Sequence, residues 1–136
     1  EAIQQIIKEG VESYGKNIQA GYRLYPFFGV QELAMAYAAA DVIVSRTCAA
    51  NLFEIAGVGK PAVIIPIASS AGDHQRNNAL EFAKFGGILL EEQNLTPELF
   101  IRAIEEAYTN RAQMSEKIKG FAKPEAAQKI AEELLR

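Results

Sequence analysis

Residues 41–67 read DVIVSRTCAANLFEIAGVGKPAVIIPI and contain two apolar runs separated by a helical segment. The runs DVIV and AVIIPI are short and apolar on both faces, which is typical of central strands in a parallel sheet. Between them, the residues from Asn51 to Val58 have the pattern of a short helix, and Gly59 is placed to end it. Strand, helix and strand in this order predict a βαβ unit.

The same alternation continues on both sides of this unit. Upstream we predict a helix over 1–15, a strand from 17 that ends at Pro26, and a helix over 30–40. Downstream we predict a helix over 73–84, a short strand in GILLEE, a helix with Thr96 as N-cap and Pro97 in its first turn, and helices over 111–119 and 124–135. These elements predict a single α/β domain, residues 1–136, with a parallel sheet flanked by helices and an all-helical portion from about residue 96.

Composition excludes several classes of function. A net charge of −3, with no basic stripe, argues against nucleic acid as a partner. No apolar run reaches the roughly 18 residues of a membrane span. One cysteine forms no internal disulfide, so a cytoplasmic location is expected. The chain begins at Glu1 inside a helical pattern, and we therefore expect it to be a fragment of a longer protein.

Unusual polar residues concentrate where the predicted strands end, in YPFFGVQE, SRTCAAN and IASSAGDHQ. Ligands of open parallel sheets lie at this edge, near helix N-termini that favour anions. Glu54 has two acceptor oxygens that suit the vicinal hydroxyls of a ribose, or it is an acid favoured by the helix dipole. The small residues Cys48, Ala49 and Ala50 let backbone N–H groups approach a phosphate, or they form a tight turn. Arg46 faces a phosphate or pairs with an acid.

The third loop leads into a second polar cluster. Gln75 and Asn78 supply amides for sugar hydroxyls, and Asp73 is expected as an N-cap. His74 is the only histidine, so no histidine-based metal site is available. It contacts a ligand or is a surface residue, and a Cys48–His74 nucleophile pair is disfavoured.

The series AYAAADVIVSR, LFEIAGVGKPAVIIPI and DHQRNNALEFAKFGGILLEE resembles the C-terminal domain of glycosyltransferase family 28. This family includes the N-acetylglucosaminyltransferase that converts lipid I to lipid II in peptidoglycan synthesis. The resemblance covers the chain from about residue 17 to the end. It implies the C-terminal half of a GT-B enzyme, a Rossmann-like domain that binds the UDP-GlcNAc donor, truncated at its N-terminus.

The resemblance also implies roles for individual residues. Glu54 corresponds to the acid that holds the ribose hydroxyls, and Val30 to the residue whose backbone recognises uracil. His74 and Gln75 match the pair that contacts the GlcNAc hydroxyls. With the polar residues identified above, the predicted donor site comprises Val30, Arg46, Ala50, Asn51, Glu54, His74, Gln75 and Asn78. The chain departs from the family pattern R-x-G-A-x-T at Cys48, where a glycine is usual, and this position is strained if it needs positive φ.

The resemblance implies partners and leaves alternatives. The lipid I acceptor and the general base are expected in an N-terminal domain that this chain lacks, and no metal or other cofactor is expected. The full-length protein is expected at the cytoplasmic face of the membrane, in peripheral contact with it. A sheet edge without a partner strand predicts self-association of the fragment. The alternatives are a glycolipid synthase domain of the same family, a nucleotide-sugar-binding subunit, and a non-catalytic scaffold that has lost donor binding.

Overall fold

The structure, a computed structural model, describes residues 21–67 and 73–135 of the chain. The chain divides into two compact units, Glu1–Met35 and Ala36–Arg136. Helix α1, Val30–Ala39, begins in the first unit and ends in the second. Within the first unit, Tyr25 and Phe28 pack with their ring centroids 4.9 Å apart, and Glu32 accepts a hydrogen bond from the Gly29 N–H.

The second unit has the predicted alternation of strands and helices. In chain order its elements are β1 (Ile43–Arg46), α2 (Ala49–Val58), β2 (Ala62–Ile65), α3 (His74–Ala83), β3 (Ile88–Leu89), a 3-10 turn (Glu92–Asn94), α4 (Pro97–Thr109), α5 (Arg111–Lys119) and α6 (Ala126–Leu134). The described strands form one parallel sheet in the order β1-β2-β3. Ile43 lies opposite Ala62, and Val63 lies opposite Ile88.

Local sequence signals set the helix ends as predicted. Gly59 ends α2 in the left-handed conformation, with φ 62°, and its N–H bonds back to the Ala56 carbonyl. Glycine suits this position because a Cβ disfavours positive φ. Thr96 caps α4 by accepting a hydrogen bond from the Leu99 N–H at 3.2 Å, and Pro97 is the first helical residue. Both predicted boundaries are confirmed.

The core is built around β2, whose four residues are all buried. Leu52 and Ile55 of α2, Phe82 of α3 and Ile118 of α5 are at most 1% exposed. Burial of each such side chain contributes on the order of 1.5–3 kcal/mol of hydrophobic free energy. The sheet, α2, α3 and α5 therefore share one core that fixes where the strand ends lie.

Three predicted strands differ in extent or pairing from what the described residues show. The run DVIV was expected as a central strand, but β1 pairs only with β2 there, and Val44 is 39% exposed. Residues 22–26 form no strand, and the described sheet does not include them. The strand predicted in GILLEE is limited to two residues. The predicted helix over 1–15, residues 17–20 of the predicted strand, and residues 68–72 of the third polar loop lie outside the described residues.

Candidate functional site

The carboxyl ends of β1 and β2 lie at one edge of the sheet, and α2 and α3 begin there. Neither helix has a side-chain N-cap hydrogen bond, whereas Thr96 caps α4. An uncapped N-terminus leaves backbone N–H groups for water or a ligand, and a missing cap typically costs about 1 kcal/mol. Within the described residues, this edge therefore presents two helix N-termini without side-chain caps, and helix N-termini favour an anion.

The turn before α2 has ordinary backbone geometry. Cys48 has φ −119° and ψ 154°, an extended conformation open to any residue. The strain that positive φ would bring at this position is therefore absent. Ala50, which was predicted beside the diphosphate, is exposed in the first turn of α2. Asn51 is half-buried, and its Nδ2 lies 3.5 Å from the Ser45 Oγ, a long hydrogen bond.

Glu54 lies on the exposed side of α2, as a ligand-binding carboxylate requires. The Tyr37 hydroxyl, on α1, donates a hydrogen bond to Glu54 Oε2 at 3.3 Å. Among residues 21–67 and 73–135, Glu54 Oε1 has no hydrogen-bond partner. Partial burial, the neighbouring Glu54 carboxylate with its hydrogen bond, and Cys48 raise the pKa of Tyr37. Tyr37 therefore stays a neutral hydrogen-bond donor at physiological pH, and one carboxylate oxygen remains for a ligand.

Arg46 makes an ion pair in this structure. Its guanidinium lies 2.6 Å from Glu92 Oε1, which belongs to the turn after β3. Since β2 lies between β1 and β3, this pair spans the carboxyl end of the central strand. A second pair joins Arg76 of α3 to Glu91 at 2.9 Å. Exposed pairs of this kind are worth about 0–1 kcal/mol.

The second polar cluster is only partly organised. Gln75 accepts a hydrogen bond from the Ile67 N–H at 3.1 Å, which fixes its amide beside the end of β2. Asp73 occupies the N-cap position of α3, as predicted, but its side chain makes no capping hydrogen bond. Its φ of 53° is the one positive value among the described non-glycine residues. His74 is exposed and Asn78 half-buried, and neither makes a hydrogen bond within the described part of the chain.

Four of the predicted site residues have hydrogen-bond partners outside the predicted set. The side-chain hydrogen bonds of Arg46, Asn51, Glu54 and Gln75 go to Glu92, Ser45, Tyr37 and Ile67. Among the described residues, no two members of the predicted donor site are joined by a side-chain hydrogen bond. Val30 begins α1 in the first unit and is 89% exposed.

Sequence reasoning missed Tyr37, Arg76, Glu91 and Glu92. The acids Glu91 and Glu92 directly follow the run GILL, so their place at a strand end was a signal available in the sequence. Tyr37 lies in the helix predicted over 30–40, and nothing local indicated that its hydroxyl reaches a residue 17 positions away.

One further buried polar group lies at this edge. Thr47 follows β1 and is fully buried, and its hydroxyl has no hydrogen-bond partner in the part of the chain that the structure describes. An unsatisfied buried hydroxyl costs on the order of 1–3 kcal/mol.

The amino-terminal edge of the sheet has a different character. A cavity of about 410 Å³ lies there, lined by Asp41, Lys60, Arg111, Lys119 and neighbouring residues. Lys60 Nζ donates hydrogen bonds to the carbonyls of Ala38 and Ala40 at the end of α1, each at 2.9 Å. The Lys119 side chain lies against Gly59, at the end of α2. Cations at helix C-termini are the stabilising arrangement, so these lysines have a structural explanation.

None of the helices in the described residues is both long enough and apolar enough to cross a membrane. Nor do three or more His, Cys, Asp or Glu side chains come together there in a metal-binding group.

Comparison with known proteins gives consistent results. The family described as "Glycosyltransferase family 28 C-terminal domain" matches residues 3–134. A Burkholderia orbicola (strain MC0-3) protein named UDP-N-acetylglucosamine--N-acetylmuramyl-(pentapeptide) pyrophosphoryl-undecaprenol N-acetylglucosamine transferase is 34% identical over 129 residues, covering 93% of this chain and 35% of the relative. The protein of the same name from Burkholderia multivorans is 34% identical over 127 residues, covering 92% of this chain and 34% of the relative.

A solved structure agrees with the sequence matches. The crystal structure of Acinetobacter baumannii MurG superposes with a TM-score of 0.70 at 26% identity, covering 81% of this chain and 32% of that one. This likeness confirms the predicted Rossmann-like α/β fold. The chain spans about a third of the length of the relatives it matches.

Proposed function

The chain belongs to the glycosyltransferase family 28 C-terminal domains, as its motifs predict, and on this premise we propose that it binds UDP-GlcNAc. It would act as the donor-binding domain of an inverting N-acetylglucosaminyltransferase that converts lipid I to lipid II. The observation that carries the proposal is the position of Glu54. Glu54 is an exposed carboxylate whose Oε1 has no partner among the described residues. It lies on a helix that begins without a side-chain cap, and it supplies a ribose acceptor near the anion-binding amides of that helix.

The proposed donor site extends along the carboxyl edge. Glu54 would hold the ribose hydroxyls, and the amides at Ala50 and Asn51 would face the diphosphate. Gln75 and His74 would contact the sugar, with Asn78 beside them on α3. Arg46 would reach the diphosphate from its ion pair with Glu92. Val30 would recognise the uracil through its backbone.

The proposed chemistry is direct displacement. A hydroxyl of the acceptor attacks the anomeric carbon of GlcNAc, a new C–O bond forms, and the bond to the diphosphate oxygen breaks with inversion. The bonding electrons leave with UDP, whose developing charge the α2 N-terminus would stabilise. A general base takes the hydroxyl proton, and we place this base in an N-terminal domain outside this chain. The isolated chain would therefore bind donor without turning it over.

Partners and location follow from the same proposal. The lipid I acceptor would bind the N-terminal domain, and the full-length protein would work at the cytoplasmic face of the membrane through peripheral contact. The chain itself would act as a single donor-binding domain. In the described residues, β1 has no partner strand on the side away from β2. We therefore also propose weak self-association through that side of β1. A clean monomer in sedimentation at high protein concentration would exclude it.

Isothermal titration calorimetry of the chain with UDP-GlcNAc, and with UDP-glucose as competitor, tests the donor proposal. We expect Glu54→Ala to weaken UDP-GlcNAc binding about tenfold or more, because a hydrogen bond to a charged group contributes roughly 1.5–3 kcal/mol. UDP-glucose should compete less well than UDP-GlcNAc. Binding of neither nucleotide sugar to the unaltered chain would support the scaffold alternative and refute the proposal.

A further inference from the structure

Glu54 has a protein partner that shares its carboxylate with the proposed ligand. Tyr37 Oη lies 3.3 Å from Oε2, while Oε1 has no hydrogen-bond partner in the described part of the chain. An exposed glutamate has three rotatable side-chain bonds, and ordering them on binding costs conformational entropy. A hydrogen bond to one oxygen removes part of this freedom before a ligand arrives. The unpartnered oxygen is then held ready to accept from a hydroxyl.

The position of Tyr37 is itself fixed by the fold. Its ring is half-buried and packs against the core cluster. Just beyond it, Lys60 Nζ binds the carbonyls of Ala38 and Ala40, which ties the end of α1 to the connection between α2 and β2. Packing of the ring against the core therefore holds Tyr37 on its apolar side, and the two hydrogen bonds of Lys60 hold the end of its helix. A donor held in this way sets the orientation of its acceptor.

We propose that Tyr37 is a positioning residue for nucleotide recognition: its hydroxyl orients the Glu54 carboxylate toward the ribose of the uridine diphosphate. This rests on the proposed function, because it concerns how the same site selects its ligand. It adds a residue on a different helix from Glu54, without direct ligand contact. Tyr37 should therefore increase the ratio of the affinity for a ribonucleotide to the affinity for a deoxyribonucleotide.

The test compares Tyr37→Phe with the unaltered chain in calorimetric titrations of UDP and of 2′-deoxy-UDP. Phenylalanine keeps the ring and its packing and removes only the hydroxyl. We expect the affinity for UDP to fall about threefold, the effect of a net hydrogen bond at the long end of the distance range. The affinity for 2′-deoxy-UDP should fall less, so that the ratio between the two nucleotides narrows.

Two further variants separate positioning from a general structural effect. In the Glu54→Ala background, Tyr37→Phe should cause no additional loss, because the group that it orients is gone. Tyr108→Phe makes the same chemical change on α4, where the ring lies under Arg111, and should leave both affinities unchanged. Thermal unfolding of each variant confirms that it is folded.

Each outcome decides between the two proposals. If Tyr37→Phe changed neither the UDP affinity nor the ratio between the two nucleotides, while Glu54→Ala weakened UDP binding, the positioning role would be overturned and the donor site would stand. An equal loss for both nucleotides would also overturn it, since that indicates a structural effect. No binding of UDP to the unaltered chain would overturn the donor site and the positioning role together.

Discussion

The two edges of the sheet differ in how the helix ends beside them are satisfied. At the amino-terminal edge, Lys60 and Lys119 lie at helix C-termini, and the left-handed Gly59 makes the turn between α2 and β2 possible. At the carboxyl edge, α2 and α3 begin without side-chain caps, and Glu54 keeps one oxygen unpartnered among the described residues. Helix ends are satisfied at one edge and left open at the other.

This difference indicates which residues should affect stability and which should affect ligand affinity. Groups whose hydrogen bonds are completed inside the chain contribute to the free energy of unfolding. Polar groups without a hydrogen-bond partner lower the free energy of unfolding. A ligand that binds the folded chain and not the unfolded chain can offset this loss. Substitutions at the amino-terminal edge should therefore change stability, and substitutions at the carboxyl edge should change affinity.

The largest stability effect is expected at Gly59. Gly59→Ala places a Cβ at φ 62° and 2.6 Å from Lys119 Cε, and it should lower the free energy of unfolding by about 1–2 kcal/mol. Urea denaturation measures this, and UDP-GlcNAc affinity should not change. The matched control is Gly57→Ala in the same helix, where a Cβ meets nothing within 4 Å and a gain of about 0.5–1 kcal/mol is expected. Equal effects at the two glycines would break the comparison.

A smaller effect is expected at the Arg46–Glu92 pair. Its side chains are 51% and 35% exposed, so Arg46→Met should lower the free energy of unfolding by less than about 1 kcal/mol. Glu92→Gln removes a negative charge beside the proposed diphosphate site and should strengthen UDP binding by about threefold at low salt. Calorimetry in low and high salt measures this change. UDP binding weakened by Glu92→Gln would show that Arg46 needs its acid for orientation.

The smallest effect is the titration of Tyr37. Burial, followed by Glu54, raises its pKa above the ordinary 10.0, so the folded chain holds this proton longer than the unfolded chain does. The stability from Tyr37 is therefore constant below pH 10 and is lost as pH rises through the raised pKa. Tyr37→Phe should remove a tyrosine ionisation with a pKa above 10.0 from the tyrosinate absorbance titration and flatten the alkaline loss of stability.

The matched variant for this titration is Glu54→Gln, which should lower the pKa of Tyr37 only in part, because burial remains. If Tyr37→Phe removed an ionisation at the ordinary tyrosine pKa of 10.0, and not a raised one, the assignment would be contradicted.

The sequence predicted those parts of the fold that depend on local signals. Gly59 and Thr96 set helix ends through backbone conformation and capping, which neighbouring residues determine. In the described residues DVIV lies at the end of the strand order. Apolarity on both faces does not determine how many strands lie beside a strand. Val44 is exposed to solvent in the described residues, although its sequence is typical of a strand that is buried on both faces.

The candidate site shows the same division. Glu54 was identified from its place on a helix after a strand end. Its partner Tyr37 was not, because that contact depends on how α1 approaches α2, which no local pattern encodes. The ion pair of Arg46 was foreseen as an alternative, yet its acid Glu92 lies 46 residues away and required the strand order to be known.

The extended backbone of Cys48 has a practical consequence. As the one thiol in the chain, exposed just before α2, it offers a unique attachment point for a fluorophore beside the proposed diphosphate position. Because its φ is negative, labelling Cys48 or replacing it by serine requires no change in the backbone conformation. A dye at this position would turn nucleotide docking into an optical signal.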